Sequence, residues 1–244
     1  RVDVLGDGFE QKLLSGSSRE KAEARREEDA FSAFSLLPSP LTLMRRLVKP
    51  VVFVLALVPL AALIFFVLTG RTSANPAEDI LLTTGIWALR FLLATLAITP
   101  LRRLTGWNLL IQYRRMLGLF AFFYATVHLF SYIAFDRFFA FGEILADVAK
   151  RPFITAGMTA FFFMLPLAVT STKGWIRRLG RRWQTLHRLV YVSALAACLH
   201  FVWKVKVVIG EPVYYAAILA VLLAFRLLWR FRPSGGIRRQ PARA

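Results

Sequence analysis

The chain has 244 residues, 57% of them hydrophobic, and carries a formal net charge of +18. This composition excludes an ordinary soluble domain and indicates that lipid surrounds most of the chain. The basic residues stand in short clusters between apolar runs, so they are topology signals and do not form a nucleic-acid-binding face. The single cysteine, Cys198, lies within an apolar run. It cannot build a disulfide framework or a cysteine-based metal site, and it is interpreted as a packing residue.

The first 43 residues differ from the rest of the chain. They hold eight of the 14 acidic residues and no apolar stretch of spanning length, which predicts disorder. The first methionine is Met44, and Arg45, Arg46 and Lys49 follow it before an apolar run. We therefore expect residues 1–43 to be an extension from a misassigned start. Residues 44–232 are expected to form the membrane domain, and residues 233–244 a basic cytoplasmic tail.

Six apolar segments of about 20 residues, the length that crosses a bilayer, follow one another from residue 50 onward. They are drawn at residues 51–69, 80–99, 117–135, 153–171, 186–205 and 213–231. Helix-breaking residues stand near their ends, among them Pro100, Pro152 and Pro212. The sequence predicts an all-α, polytopic membrane bundle of six transmembrane helices.

The loop charges predict how the bundle is oriented. Lysine and arginine cluster before the first span, between spans two and three, and between spans four and five. The acidic residues after Met44 all fall in the alternate loops, and they are Glu78, Asp79, Asp136, Glu143, Asp147 and Glu211. Because basic loops stay on the cytoplasmic side, we expect both termini in the cytoplasm and the protein in a bacterial inner membrane.

All three histidines of the chain fall in or at the edge of a predicted span. At a helical rise of about 1.5 Å per residue, His128 lies about 17 Å into the third span and His200 about 21 Å into the fifth, counted from the basic side. Two neutral imidazoles at one level on facing helices can bind a haem iron from both faces. We predict that His128 and His200 are the axial ligands of a haem near the outer side. The alternative is that each hydrogen-bonds a neighbouring helix.

His187 lies at the cytoplasmic end of the fifth span, about 20 Å from His200 along the axis. This distance suits a second redox centre and a metal-ligand role. However, Tyr113, Arg115 and Met116 occupy the matching end of the third span, where no histidine stands. One straight helix would also turn His187 and His200 about 140° apart. A cofactor contact and an interfacial polar residue are equally open interpretations of His187.

Arg90 lies near the middle of the second span, where a charge is costly, so it should face the bundle interior or a water-filled cavity. It is expected either to pair with a haem propionate or to hydrogen-bond backbone carbonyls and polar helix ends. The loop at residues 173–188 is rich in cations and predicts an anionic partner, which is a lipid headgroup, a haem propionate or a flavin phosphate. Its candidate cofactor-binding residues are Arg181, Arg182 and Trp183.

Several stretches carry a family resemblance. They are residues 87–90 (WALR), 99–103 (TPLRR), 114–119 (RRMLGL), 150–152 (KRP), 170–172 (TST) and 180–189 (GRRWQTLHRL), together with Tyr124, His128 and His200. Through them, residues 44–232 resemble the haem-binding membrane subunits of bacterial periplasmic methionine sulfoxide reductase systems, within the wider ferric reductase-like transmembrane family. The stretch 180–189 is the most specific. Residues 1–43 depart from the family pattern.

The resemblance implies an electron-transfer subunit whose partner converts the substrate. It implies one or two b-type haems, with His128 and His200 matching the ligands of the outer haem. His187 matches an inner histidine that serves a second cofactor, and FMN is a further cofactor of the family. Electrons would come from the quinone pool or a cytoplasmic flavin reductase. They would pass to a periplasmic molybdenum-containing methionine sulfoxide reductase that repairs oxidised proteins.

Two alternatives stay open. The first is a ferric reductase or NADPH-oxidase-like haem protein, which would need a separate flavoprotein because about a dozen residues follow the last span. The second is a redox-inactive membrane scaffold or transporter. A broken helix or an internal repeat would favour transport, and the sequence shows neither clearly.

Overall fold

The computed structural model describes residues 40–205 and 210–231. The chain divides into two units, residues 1–52 and 53–244, and the first is described only over residues 40–52. The expectations for residues 1–39 and for the tail at 233–244 therefore lie outside the described residues. Helix α1 begins at Pro40, ahead of the membrane-domain start expected at residue 44.

The described part of the chain contains nine α-helices and no strand. They are α1 Pro40–Leu68, α2 Pro76–Thr105, α3 Arg114–Ser131, α4 Phe141–Lys150, α5 Pro152–Val169, α6 Lys173–Leu179, α7 Arg181–Leu186, α8 Leu189–Val205 and α9 Glu211–Phe231. A 3-10 turn at Asn108–Gln112 precedes α3, and a π-helical turn at Tyr132–Asp136 extends it.

Six segments are long and apolar enough to cross a membrane: Leu47–Leu68, Pro76–Thr105, Arg114–Asp136, Pro152–Val169, Arg181–Val205 and Glu211–Trp229. The predicted six-helix membrane bundle is confirmed. Large apolar side chains such as Leu68, Val221 and Leu228 remain exposed, as expected of a surface that contacts lipid.

Helix α2 shows how the sequence sets the helix ends. Asn75 caps its first turn, where the side chain accepts a hydrogen bond from the Glu78 N–H, and Pro76 follows at the first helical position. The helix runs through Pro100, so the end predicted there is wrong. It stops where Gly106 takes a left-handed conformation with φ 74°, after a basic last turn. A proline within a membrane helix is tolerated because neighbouring groups satisfy the freed carbonyl.

The bundle is built from two closely packed helix pairs, α2 with α3 and α5 with α8, and α9 packs against α8 and α2. Tyr124 on α3 joins α1 to this core. Its hydroxyl donates to the Ala56 carbonyl at 2.8 Å and accepts from the Leu60 N–H at 3.2 Å. The buried phenol thus bridges two backbone groups of α1 on either side of Pro59, which satisfies them away from water.

The loop between α3 and α5 folds into the short amphipathic helix α4, which was not predicted because its ten residues are too few to cross a bilayer. Its buried Asp147 forms ion pairs with Arg137 and Arg151 and accepts a hydrogen bond from the Tyr132 hydroxyl at 2.8 Å. We call this end of the bundle, which carries the acidic residues named above, the acidic end. The opposite end, with the arginine-rich loops, is the basic end.

Candidate functional site

His128 on α3 and His200 on α8 face each other across a cavity of about 300 Å³ between the two helix pairs. Their ring centroids are 6.0 Å apart, and the ring planes cross at 78°. Sequence depth alone placed these two residues at one level, and the structure brings their side chains together. That they bind a metal stays a prediction, which this geometry supports.

Both imidazoles are oriented in the same way. Nδ1 of His128 lies 2.9 Å from the Leu81 carbonyl, and Nδ1 of His200 lies 2.6 Å from the Phe153 carbonyl. A carbonyl oxygen only accepts, so each Nδ1 must carry the proton and donate it. In a neutral imidazole this leaves the lone pair on Nε2, the atom that would bind a metal.

A glycine faces each imidazole. A Cβ atom at Gly85 would lie 2.9 Å from Cε1 of His128, and one at Gly157 would lie 2.8 Å from Nδ1 of His200. Both separations are shorter than van der Waals contact, so a side chain at either position would displace the ring. Each glycine follows the carbonyl partner of its histidine by one helical turn. Glycine therefore lets each ring lie close against the neighbouring helix.

The two halves of the site are an internal repeat. The interval along the chain from Gly85 to Gly157 equals the interval from His128 to His200, and we call two residues separated by this interval counterparts. Each cavity-lining residue from Leu81 to Tyr132 has a counterpart that also lines the cavity. Four of these pairs are identical, and they are Gly85 with Gly157, Ala88 with Ala160, Ala125 with Ala197, and His128 with His200.

The distance between the ring centroids would accommodate a six-coordinate iron. Two metal–imidazole bonds of about 2 Å each separate the nitrogen atoms by about 4 Å, and half a ring on either side adds about 2 Å more. The observed 6.0 Å between centroids agrees with this sum. No group of three or more His, Cys, Asp or Glu side chains converges on a metal site anywhere in residues 40–205 and 210–231. A porphyrin, which brings its own equatorial nitrogens, suits two opposed imidazoles.

Apart from the two imidazoles, the described lining of the cavity is apolar except at its mouth. Its charged lining residues are Glu78, Asp136, Arg151 and Lys204, which all lie at the acidic end, and Tyr132 accompanies them. Toward the basic end the lining is apolar and includes Leu92 and Met164. A ligand with one apolar and one charged edge would therefore enter with its charged edge at the acidic end.

His187 lies apart from the cavity, at the basic end. The spanning segment is interrupted at His187, between α7 and α8, so the single straight helix assumed from the sequence is wrong there. Nδ1 of His187 lies 3.1 Å from the Trp183 carbonyl, and its ring stacks on Trp183 with centroids 3.8 Å apart. Its Nε2 is buried without a hydrogen-bond partner among the described residues. Trp183 is fixed in turn by a 3.0 Å hydrogen bond to the Thr170 carbonyl.

The other predicted cofactor residues do not line the cavity. Arg90 is exposed, so of its two expected positions the bundle interior is wrong, and the water-filled cavity stays a prediction. It donates from Nε to the Tyr215 hydroxyl at 2.8 Å and lies over the Trp87 ring at 4.8 Å, beside α9 and not beside the histidine pair. Arg181 and Arg182 are exposed at the start of α7, within two turns of His187.

Sequence reasoning missed Gly85, Gly157 and the repeat that contains them. The sequence did carry a signal, because the histidines and the residues that contact them recur at one constant interval. In the structure, each histidine bonds the carbonyl of a residue 47 positions earlier. The signal was hidden because most repeated positions keep size and apolarity but not identity, as Leu92 and Met164 do. A search for equal glycine–histidine spacings would have found it. The repeat is centred on the histidine pair, so it supports paired ligands more directly than it supports transport.

Comparison with known proteins gives a consistent family. Residues 84–198 match the model of the ferric reductase like transmembrane component. The chain is 52% identical over 198 residues to the protein-methionine-sulfoxide reductase heme-binding subunit MsrQ of Herminiimonas arsenicoxydans, covering 80% of this chain and 90% of that relative. It is 50% identical over 190 residues to the Ralstonia nicotianae protein of the same name, covering 77% and 88%.

A third relative, the MsrQ protein of Xanthomonas oryzae pv. oryzae, is 56% identical over 153 residues, which is 63% of this chain and 70% of the relative. No solved structure matches the chain. Identity of this extent, together with the six membrane-competent helices, establishes the family. The chain belongs to the MsrQ family of ferric reductase-like, multi-pass membrane proteins.

Proposed function

We propose that this protein carries electrons across the bacterial inner membrane on b-type haem and delivers them to a periplasmic methionine sulfoxide reductase. The relatives are named as heme-binding subunits of protein-methionine-sulfoxide reductase, which supports this assignment. The reductase partner is a molybdenum-containing enzyme that repairs oxidised periplasmic proteins. In this role the chain supplies electrons and leaves the conversion of the substrate to its partner.

The observation that carries the proposal is the opposed pair of His128 and His200. Each ring keeps an unprotonated Nε2, and the two rings lie at a separation that suits an iron between them. A bound haem would supply one-electron transfer between ferric and ferrous iron. The Leu81 and Phe153 carbonyls orient the imidazoles and increase their basicity, and the apolar lining excludes water.

The proposed direction of electron flow rests on the orientation that the charge distribution predicts. Basic loops are retained in the cytoplasm, so the basic end would be cytoplasmic and the acidic end periplasmic, with both termini inside. The histidine pair then lies in the outer half of the membrane, near the periplasmic partner. Electrons from the quinone pool or from a cytoplasmic flavin reductase would enter nearer the basic end.

A second cofactor, either an inner haem or FMN, is assigned to the region of His187. The buried Nε2 of His187, which has no hydrogen-bond partner among the described residues, offers a lone pair to such a group. The exposed Arg181 and Arg182 lie within two turns of it, where an anionic phosphate or propionate could bind. Trp183 would provide an aromatic face beside it.

The test is a dithionite-reduced minus oxidised spectrum of the detergent-purified protein, with haem counted as the pyridine haemochrome. We expect b-type bands and one or two haems per chain. The reduced haem should then be reoxidised by methionine sulfoxide only when the purified periplasmic partner is present. A flat spectrum from well-folded protein would contradict the proposal and favour a scaffold or transporter.

The same preparation distinguishes the proposed function from a ferric reductase or an NADPH-oxidase-like haem protein. A ferric reductase would be reoxidised by ferric chelates without the periplasmic partner, and an NADPH-oxidase-like protein by oxygen. Rapid reoxidation of the haem by ferric chelates or oxygen, with none by methionine sulfoxide and the partner, would show that the proposed electron acceptor is wrong. The proposed haem site would still stand.

A further inference from the structure

The mouth of the histidine cavity is asymmetric, although the rest of the cavity is a repeat. The counterpart of Lys204 is Tyr132, and the counterpart of Arg151 is Asp79. The second helix pair therefore places two cations where the first places a phenol and a carboxylate. Because the apolar lining is matched between the halves, the rim is where the two sides of the cavity differ in charge.

Arg151 is held in place by a neighbouring carboxylate. Its Nε lies 3.1 Å from Oδ1 of Asp147, whose side chain is 11% exposed. Asp147 is also bound by Arg137 and by the Tyr132 hydroxyl, so several groups share its charge. Among the described residues, the side-chain ion pair of Arg151 uses only Nε, and its two terminal nitrogens are left to bind another acceptor at the cavity mouth.

Lys204 follows His200 by one helical turn and so lies on the same face of α8, about 6 Å nearer the acidic end. Its Nζ lies 5.9 Å from the centroid of the Phe153 ring and forms no ion pair with a carboxylate of the described residues. Among the described residues, nothing therefore prevents the Lys204 ammonium from binding an anion in the cavity, close to the His200 imidazole.

The acidic side chains of the rim belong to the opposite side. Glu78 lies in the first turn of α2, and Asp136 ends the turn that follows α3, where it is 3.6 Å from Arg137. Carboxylates on a ligand would be repelled by Glu78 and attracted by Lys204 and Arg151. The rim therefore favours a bound ring whose two carboxylates lie toward Lys204 and Arg151 and away from Glu78.

From this asymmetry we infer that Lys204 and Arg151 bind the two propionate groups of the haem. The inference rests on the proposed haem function and adds what fixes the ring within the site. Haem has both carboxylates on one edge, which matches a cavity whose charged lining residues, among those that the structure describes, all lie at its mouth. Asp147 is a positioning residue, since it aims the Arg151 guanidinium without touching the ligand. Arg90, the propionate partner suggested by the sequence, does not line this cavity.

The experiment compares haem with its dimethyl ester, which keeps the iron and the ring but has no propionate charge. Both are loaded into the full-length protein, and their transfer to excess apomyoglobin is timed. We expect Lys204→Gln and Arg151→Gln each to speed the release of haem about tenfold, since each removes a charge-assisted hydrogen bond. Release of the ester should be unchanged by either substitution. Lys204→Arg should keep the slow release of haem.

Lys150→Gln is the matched control, because Lys150 adjoins Arg151 at the same end but does not line the cavity. It should alter the release of neither compound. Equal acceleration of haem and ester by Lys204→Gln and Arg151→Gln would overturn the inference, and so would no acceleration at all. A wild-type protein that shows no low-spin haem spectrum would instead overturn the haem site itself, so the two failures are distinguishable.

Discussion

The first helix pair, α2 with α3, and the second, α5 with α8, place a histidine and a glycine in the same arrangement but differ at both of their ends. At the acidic end Tyr132 matches Lys204, and at the basic end Arg115 matches His187. The repeated part makes a cavity with two equivalently placed imidazoles. The parts that differ decide how a ligand is oriented and what the basic end can bind.

This comparison explains why one histidine pair is complete and the third histidine has no mate. His128 and His200 occupy equivalent positions, so the fold that orients one also orients the other. The position equivalent to His187 holds Arg115, which cannot ligate a metal as an imidazole does. The repeat therefore offers any second cofactor at the basic end one imidazole and not a pair.

The largest effect is expected from removing either repeated histidine. His128→Ala and His200→Ala should each abolish the low-spin haem spectrum, and they should do so equally because the two halves are equivalent. The loss should exceed the roughly 10–100-fold cost of removing a hydrogen-bond partner of a ligand. Optical spectra of both variants at matched protein concentration check this. A full low-spin spectrum in either one would refute the pairing.

The next largest effect is expected from filling the space beside each ring. Gly85→Ala and Gly157→Ala place a methyl group within about 3 Å of an imidazole, and such overpacking costs about 1–3 kcal/mol. Haem content should fall severalfold in both. Gly118→Ala is the control, since its added Cβ would meet Thr95 at an ordinary 3.6 Å. If haem content fell only as in the control, the glycines would not be needed for ring placement.

A smaller effect, confined to the first pair, is expected at Tyr124, whose counterpart in the second pair is Ala196. Tyr124→Phe would leave the Ala56 carbonyl and the Leu60 N–H of α1 without their partner. We expect a loss of about 1–3 kcal/mol in unfolding free energy and an unchanged haem spectrum. Unfolding in mixed micelles measures it, with the exposed Tyr214 as the site of a control Phe substitution. Equal stability of both variants would contradict the bridging role.

The smallest effect on the haem between His128 and His200 is expected from His187→Ala. This haem should keep its spectrum, because His187 does not line the cavity. Its reduction by a donor at the basic end should slow, while dithionite should still reduce it fully. Stopped-flow reduction measures the difference. Unchanged rates would contradict a role for His187 in electron transfer and leave it as a structural residue that stacks on Trp183.

The sequence predicted the parts of this structure that depend on length and depth. Six apolar stretches of spanning length can only be satisfied as helices in lipid, so their number and type followed directly. The shared level of His128 and His200 followed from the constant rise of a helix. Both quantities are linear along the chain, which is why they can be read from one sequence.

The parts that failed depend on rotation about the helix axis and on partners distant in the chain. Arg90 has the depth of an interior charge, yet its azimuth turns it toward Tyr215 on α9. The helix is interrupted at His187, between α7 and α8, so an azimuth extrapolated along one straight helix does not apply. The close approach of Gly85 and Gly157 to the rings is a property of helix packing that no local pattern encodes.

The crossing angle of the two imidazole planes has an electronic consequence. At 78° the rings are nearly perpendicular, and each is held there by its own carbonyl and glycine. If an iron were bound between them, the π orbital of each ring would overlap a different d orbital, so neither d orbital would be singled out in energy. Low-spin ferric iron would then be expected to give a strongly axial paramagnetic resonance spectrum. Residues on the two neighbouring helices would thereby set the magnetic signature of the centre.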